Sequence, residues 1–188
     1  FMPENPIFKA CREGDINAVQ LYLDNGGDVN YYSGGHSLLI DSAKQERLDI
    51  IKLLLDRGAN INKGKLLAKA CSQSHPNIEV IELLLEKGAN VSEYLFLNNT
   101  LSQPIRSLLR VTKTFDDNIF NPNKKVNISS QDTFLIKRAA YLIANNLLNT
   151  TEGEKNLSGV SRDLSQNQSF YTLLCEVLTT KAKQTGIT

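Results

Sequence analysis

The sequence has no tryptophan, one methionine, two histidines and three cysteines in 188 residues. Each scarcity excludes something. Cys11, Cys71 and Cys175 are odd in number and lack C-x-x-C spacing, which argues against a disulfide framework and against a zinc site. With only His36 and His75 available, a cysteine nucleophile has few candidate bases, and catalysis needs the two groups within hydrogen-bond reach. There is no Gly-rich phosphate loop, no metal-ligand cluster and no paired-carboxylate motif. No catalytic residue, metal or cofactor is therefore expected. Charge of one sign is also lacking. Lys and Arg number 21 against 20 Asp and Glu, a formal charge of +1, so the broad basic face that nucleic acid or an anionic membrane requires is absent from the composition. No apolar run approaches the ~18 residues of a membrane-spanning helix. No signal-peptide pattern precedes the repeats, and Met2 reads as the natural start. A reducing, cytoplasmic setting fits these features.

What is present is repetition. Leu53 to Asn62 reads L-L-L-D-R-G-A-N-I-N, and Leu83 to Ser92 reads L-L-L-E-K-G-A-N-V-S. A looser copy, L-Y-L-D-N-G-G-D-V-N, starts at Leu21. The starting leucines are 32 and 30 residues apart, a period that marks stacked repeats. Ile50, Ile51, Leu53, Leu54 and Leu55 cover more than one helical face, as a unit packed on both sides requires. Gly26, Gly58 and Gly88 stand where a helix must close through a left-handed residue.

The run Asn5-Pro6-Ile7-Phe8-Lys9-Ala10-Cys11, with its counterparts from Ser37 and Leu66, resembles the opening T-P-L-H-x-A of the ankyrin repeat. The Leu-rich run before Gly-Ala-Asn resembles the repeat's second helix. The resemblance implies an all-α ankyrin-repeat solenoid over residues 5–110, with about three repeats and a degenerate fourth around Tyr94–Leu97 and Ile105–Leu109. The family's histidine is missing; Phe8, Ile40 and Ala68 take its place, so apolar packing should replace its hydrogen bond. Only Tyr31–His36 is long enough for a projecting hairpin, whereas Lys63-Gly64-Lys65 should make a blunt turn.

Residues 111–188 do not follow the repeat and read as a helical extension packed on the last repeat. Val111–Ser130 is polar and carries the turn signal Asn121-Pro122-Asn123. Apolar spacing predicts helices from Phe134 to Asn149 and from Ser169 to Lys183. Thr150–Gln168 reads as a loop with a short helix near Leu157–Leu164.

Ankyrin repeats meet partners through hairpin tips and the exposed face of the first helices. By position this implies partner-binding roles for Tyr31, Tyr32, Gly34 and His36 on the hairpin. It adds Arg12 and Glu13, Lys44 and Gln45, and Ser72 and Gln73 at the ends of successive first helices. Asn25, Arg57 and Lys87 precede the closing glycines, and Lys63 and Lys65 lie in the blunt turn. The reading is a monomeric, non-catalytic adaptor that binds a protein, not nucleic acid or membrane. Its Asn- and Lys-rich wording also resembles ankyrin effectors that intracellular bacterial pathogens deliver into host cytosol. The alternative is a targeting module of a larger enzyme, or an enzyme with chemistry in the extension. There, Asp116, Asp117, Asp132 and Arg138 are the polar residues to nominate, without supporting spacing.

Overall fold

The computed structural model describes residues 3–91, 100–121, 123, 128, 131–149 and 168–184. It forms two compact units, residues 1–81 and 82–188.

In the first unit, helix α1 (Pro6–Glu13) and helix α2 (Ile16–Asp24) form one antiparallel pair. Strands β1 (Tyr32–Ser33) and β2 (His36–Ser37) follow, then helices α3 (Leu38–Lys44) and α4 (Leu48–Asp56). A 3-10 turn at Lys63–Lys65 leads into α5 (Leu66–Cys71), and α6 (Ile78–Glu86) starts at the end of this unit and continues into the next. Local chemistry punctuates four of these helices. Asn5, Asp15, Ser37 and Asn77 accept a backbone N–H from the first turn of α1, α2, α3 and α6, satisfying donors that the helix itself leaves orphaned. The second helices end in one recurring motif. Gly26 and Gly58 take φ of 86° and 92°. Their N–H groups bond Leu23 and Leu55, and the next residue's N–H reaches back to Tyr22 and Leu54. This is the Schellman closure expected from Leu-rich helices ending in Gly.

The repeated Asp/Asn-x-Asn wording also has a structural meaning. Asp28 Oδ1 accepts the Asn30 N–H at 2.8 Å, and Asn60 Oδ1 accepts the Asn62 N–H at 3.0 Å. Asn30 Oδ1 in turn accepts the Asn60 N–H at 2.8 Å, tying one repeat to the next. Arg47 Nε donates to the Arg12 carbonyl at 3.0 Å in the same sense. Between these polar ties lies an apolar layer. Val19, Leu38, Ile40, Ile50, Ile51, Leu54 and Leu66 are fully buried or nearly so, each side chain contributing roughly 1.5–3 kcal/mol on leaving water. Phe8, in the place of the family histidine, is buried and stacks on Tyr31 at 5.4 Å between ring centres, so apolar packing does replace that hydrogen bond.

In the second unit, α7 (Gln103–Ile119), α8 (Thr133–Asn149) and α9 (Gln168–Gln184) enclose a core of their own. Phe115 and Ile119 from α7, Ile136, Ala140 and Ile143 from α8, and Phe170, Leu174 and Val177 from α9 meet there. Asp132 caps α8 by accepting the Leu135 N–H. Gly88 closes α6 with φ 92° in the same way as its counterparts, and Ala89 N–H bonds Leu84.

The structure departs from the sequence expectation in one element. Val111–Ser130 reads as a polar stretch that follows a repeat stack ending at residue 110, yet α7 runs unbroken through residues 110 and 111 to Ile119. Ile105, Leu109, Thr112, Phe115 and Ile119 recur every three or four positions and are all buried. The polar residues between them occupy the other face and mask the stripe when polarity alone is counted. Pro104 does sit in the first turn of this helix, where its missing N–H costs nothing. The expected helix at Tyr94–Leu97, the short helix at Leu157–Leu164 and nearly all of the loop Thr150–Gln168 lie outside the described residues. Gln168 itself begins α9.

Candidate interaction surface

The hairpin expected at Tyr31–His36 is present and is the only strand pair among the described residues. Tyr32 pairs with Ser37 and Ser33 with His36. The two turn residues, Gly34 and Gly35, have φ of 58° and 85°, the doubly left-handed turn whose twist suits an antiparallel pair. Lys63-Gly64-Lys65 forms no finger. It is a tight turn with φ of 68° at Gly64 and 56° at Lys65. A Cβ at Gly64 would lie 2.8 Å from Ile40 Cδ1, so the turn presses directly on α3.

Several residues named from the sequence prove to be tied into the unit. Tyr31 is half-buried on Phe8. His36 Nδ1 lies 2.9 Å from Asp41 Oδ1, and Arg12 Nη1 donates to Asp41 Oδ2 at 2.9 Å. Arg12 also makes a two-pronged bond to Glu4, both contacts 2.7 Å. That guanidinium holds the Glu4 carboxyl below its usual range. Asp41 is 2% exposed, so its carboxylate is satisfied by Arg12 and His36 instead of water. The cluster Glu4–Arg12–Asp41–His36 thus fixes the hairpin base against α1 and α3. Arg57 bonds Asp24 at 2.8 Å, and Gln73 Nε2 donates to the Lys69 carbonyl.

Others face outward. Tyr32 is 44% exposed, with the Lys63 ammonium 5.8 Å from its ring centre. Lys63 Nζ donates to the Asn30 carbonyl at 3.0 Å, so finger and blunt turn are fastened to one another. Glu13, Gly34, Lys44, Gln45, Lys65 and Ser72 are exposed. Sequence reasoning did not single out Asp41, Glu4 or Asn30. A signal existed for Asp41, a lone carboxylate in the apolar run Leu38-Leu39-Ile40-Asp41-Ser42-Ala43; buried acids demand partners.

The residues nominated for chemistry in the extension have structural partners. Arg138 is 1% exposed. Its Nε donates to Asp116 Oδ1 at 2.8 Å and its Nη2 to Asp116 Oδ2, a bidentate pair. Its Nη1 donates to the carbonyls of Leu85 at 2.7 Å and Ala89 at 3.0 Å, at the end of α6. Asp132 is the cap of α8, and Asp117 pairs with Lys113 one turn away. Beside Arg138, Lys87 Nζ donates to the Tyr141 hydroxyl at 2.7 Å and Lys137 lies 3.5 Å from Glu86. Burial pushes the Cys11 and Cys71 thiols up to about 11, so neither is an activated nucleophile. Among the described residues no group of His, Cys, Asp and Glu could hold a metal ion, and no helix is long and apolar enough to cross a membrane.

Comparisons with curated proteins and with solved structures returned no match. Residues 2–65 match the family model described as ankyrin repeats (3 copies). With helix pairs, Schellman closures and inter-repeat ties recurring at that period, the N-terminal region of this chain is built of ankyrin repeats, a class of module that generally mediates protein–protein interaction.

Proposed function

We propose that the chain is a non-catalytic adaptor that holds a partner protein on the finger Tyr31–His36 and the exposed ends of its first helices. The repeats from residue 5 supply the binding surface, and the helical extension takes in the whole of α7 (Gln103–Ile119). The observation that carries the reading is the finger. Its base is fixed by the charged groups gathered around the buried Asp41, yet it presents the Tyr32 ring to solvent. A rigid, half-exposed tyrosine brings large contact area at low entropic cost, which is what interface anchors share. Arg12, Tyr31 and His36 then act by holding the finger. Tyr32, Gly34, Lys44, Gln45, Lys65 and Ser72 are the contact candidates, with Glu13 and Arg57 at the rim.

The likeness to delivered ankyrin effectors makes a host cytosolic protein the partner to look for. Chemistry in the extension draws no support from its polar groups, because Arg138, Asp116 and Asp132 are engaged in helix ends. The test is affinity capture from eukaryotic cytosol with wild type and a Tyr32→Ala variant of unchanged helical content. A protein held by the wild type and lost by the variant supports the reading. Identical captures with both chains overturn the finger as the anchor.

A further inference from the structure

Acidic residues are absent from two stretches that the fold brings side by side. Between Asp28 and Asp41 the finger carries no carboxylate, and between Asp56 and Glu79 there is none either. The second stretch carries Lys63, Lys65 and Lys69. The bond from Lys63 to Asn30 and its position over the Tyr32 ring join the two stretches into one edge. Lys65 lies two residues beyond Lys63 in the same turn, and Lys69 follows within α5. Neither has a carboxylate within ion-pairing distance among the described residues. The nearby acids do not offset them, because Asp41 is buried and both it and Glu4 are engaged by Arg12.

We infer that this edge is the docking site of an acidic protein segment carrying an aromatic or aliphatic residue, with the carboxylates on Lys63, Lys65 and Lys69 and the apolar residue on Tyr32. This rests on the adaptor reading and adds the chemistry of the partner. Charge complementarity selects the class. Three lysines in one acid-free stretch, the first of them over the half-exposed Tyr32 ring, suit a short acidic peptide, whereas a chain of +1 overall lacks the extended basic face a nucleic acid needs.

The full chain would be titrated, by fluorescence anisotropy, against a labelled peptide library. Each member places four to six Glu or Asp around one Tyr, Phe or Leu, and each has a Gln/Asn twin. Acidic members should bind and their twins should not, with binding weakened by salt. Lys65→Glu/Lys69→Glu, which leaves Lys63 on Asn30, should weaken binding about tenfold, since each lost exposed pair is small but reversal adds repulsion. Lys52→Glu, on α4, should not change it. Equal binding of acidic peptides and twins, no binding by any acidic member, or displacement by duplex DNA or phosphatidylserine vesicles in preference to peptide overturns the inference. A neutral peptide or captured protein that needs Tyr32 but not the lysines overturns the charge assignment and leaves the adaptor reading standing. Binding that is insensitive to Tyr32 overturns that reading as well.

Discussion

Gly14 and Glu46 occupy the same place in successive repeats, just past the first helix, and both are left-handed, with φ of 80° and 58°. Glycine adopts this conformation without penalty, whereas a side chain there costs about 1–2 kcal/mol. Glu46→Gly should therefore stabilise the chain by about 1 kcal/mol, once the extra freedom of glycine in the unfolded state is subtracted. Urea unfolding would measure it. Gly14→Ala should do the reverse, because its Cβ would also lie 3.2 Å from the Arg47 guanidinium. The thiols give a second test. Cys175 is exposed and Cys11 and Cys71 are buried, so a thiol reagent should label Cys175 alone in the native chain and all three cysteines after denaturation. A third concerns Glu86. Burial raises its carboxyl above 4.5, against the opposing pull of Lys137. The folded chain thus holds this proton more tightly than the unfolded one. The stability it contributes is complete below pH 4.5 and is lost as pH climbs through the raised value. Glu86→Gln should match the wild type in acid and melt at a higher temperature at neutral pH.

Helix ends are where single side chains have most leverage on whole elements. Ser37 Oγ accepts the Ile40 N–H at 3.0 Å in a buried setting, so Ser37→Ala should cost about 1 kcal/mol through the start of α3. Arg138→Ala would strand Asp116 and remove the donor to the Leu85 and Ala89 carbonyls. Removing one partner of a buried pair costs about 3–5 kcal/mol, and the low end applies because Asp116 is partly exposed. Chemical denaturation should show that loss. These two elements also show what could be read in advance. Ser37 lies in a local pattern, and the repeats, their closing glycines and the finger all follow from spacing along a few residues. Arg138 does not, because its partners are 22 to 53 residues away. The same limit applied at the finger. Tyr31, Arg12 and His36 were named by position, but Phe8, Glu4 and Asp41 decide whether they are available. The length of α7 was legible in principle from its buried stripe and was hidden by the charged residues Arg106, Arg110, Lys113 and Asp117 between its apolar positions.

At the scale of the whole molecule, large exposed apolar side chains are few among the described residues. Leu21, Tyr32, Ile78, Val111 and Tyr171 each belong to a different element. Isolated residues of this kind are ordinary surface, not a self-association patch. Sedimentation equilibrium should therefore give the 20.9 kDa of one chain at micromolar concentration. The guanidinium that finishes α6 has one further consequence, in time instead of space. Arg138 is added to the growing polypeptide 53 residues after Leu85. At roughly 5–20 residues per second that is an interval of about 3–10 s on the ribosome. For those seconds the last turn of α6 must keep its carbonyls in water or in the hands of a chaperone, so the nascent chain passes through a stage in which α6 has been made and the donor for its last carbonyls has not.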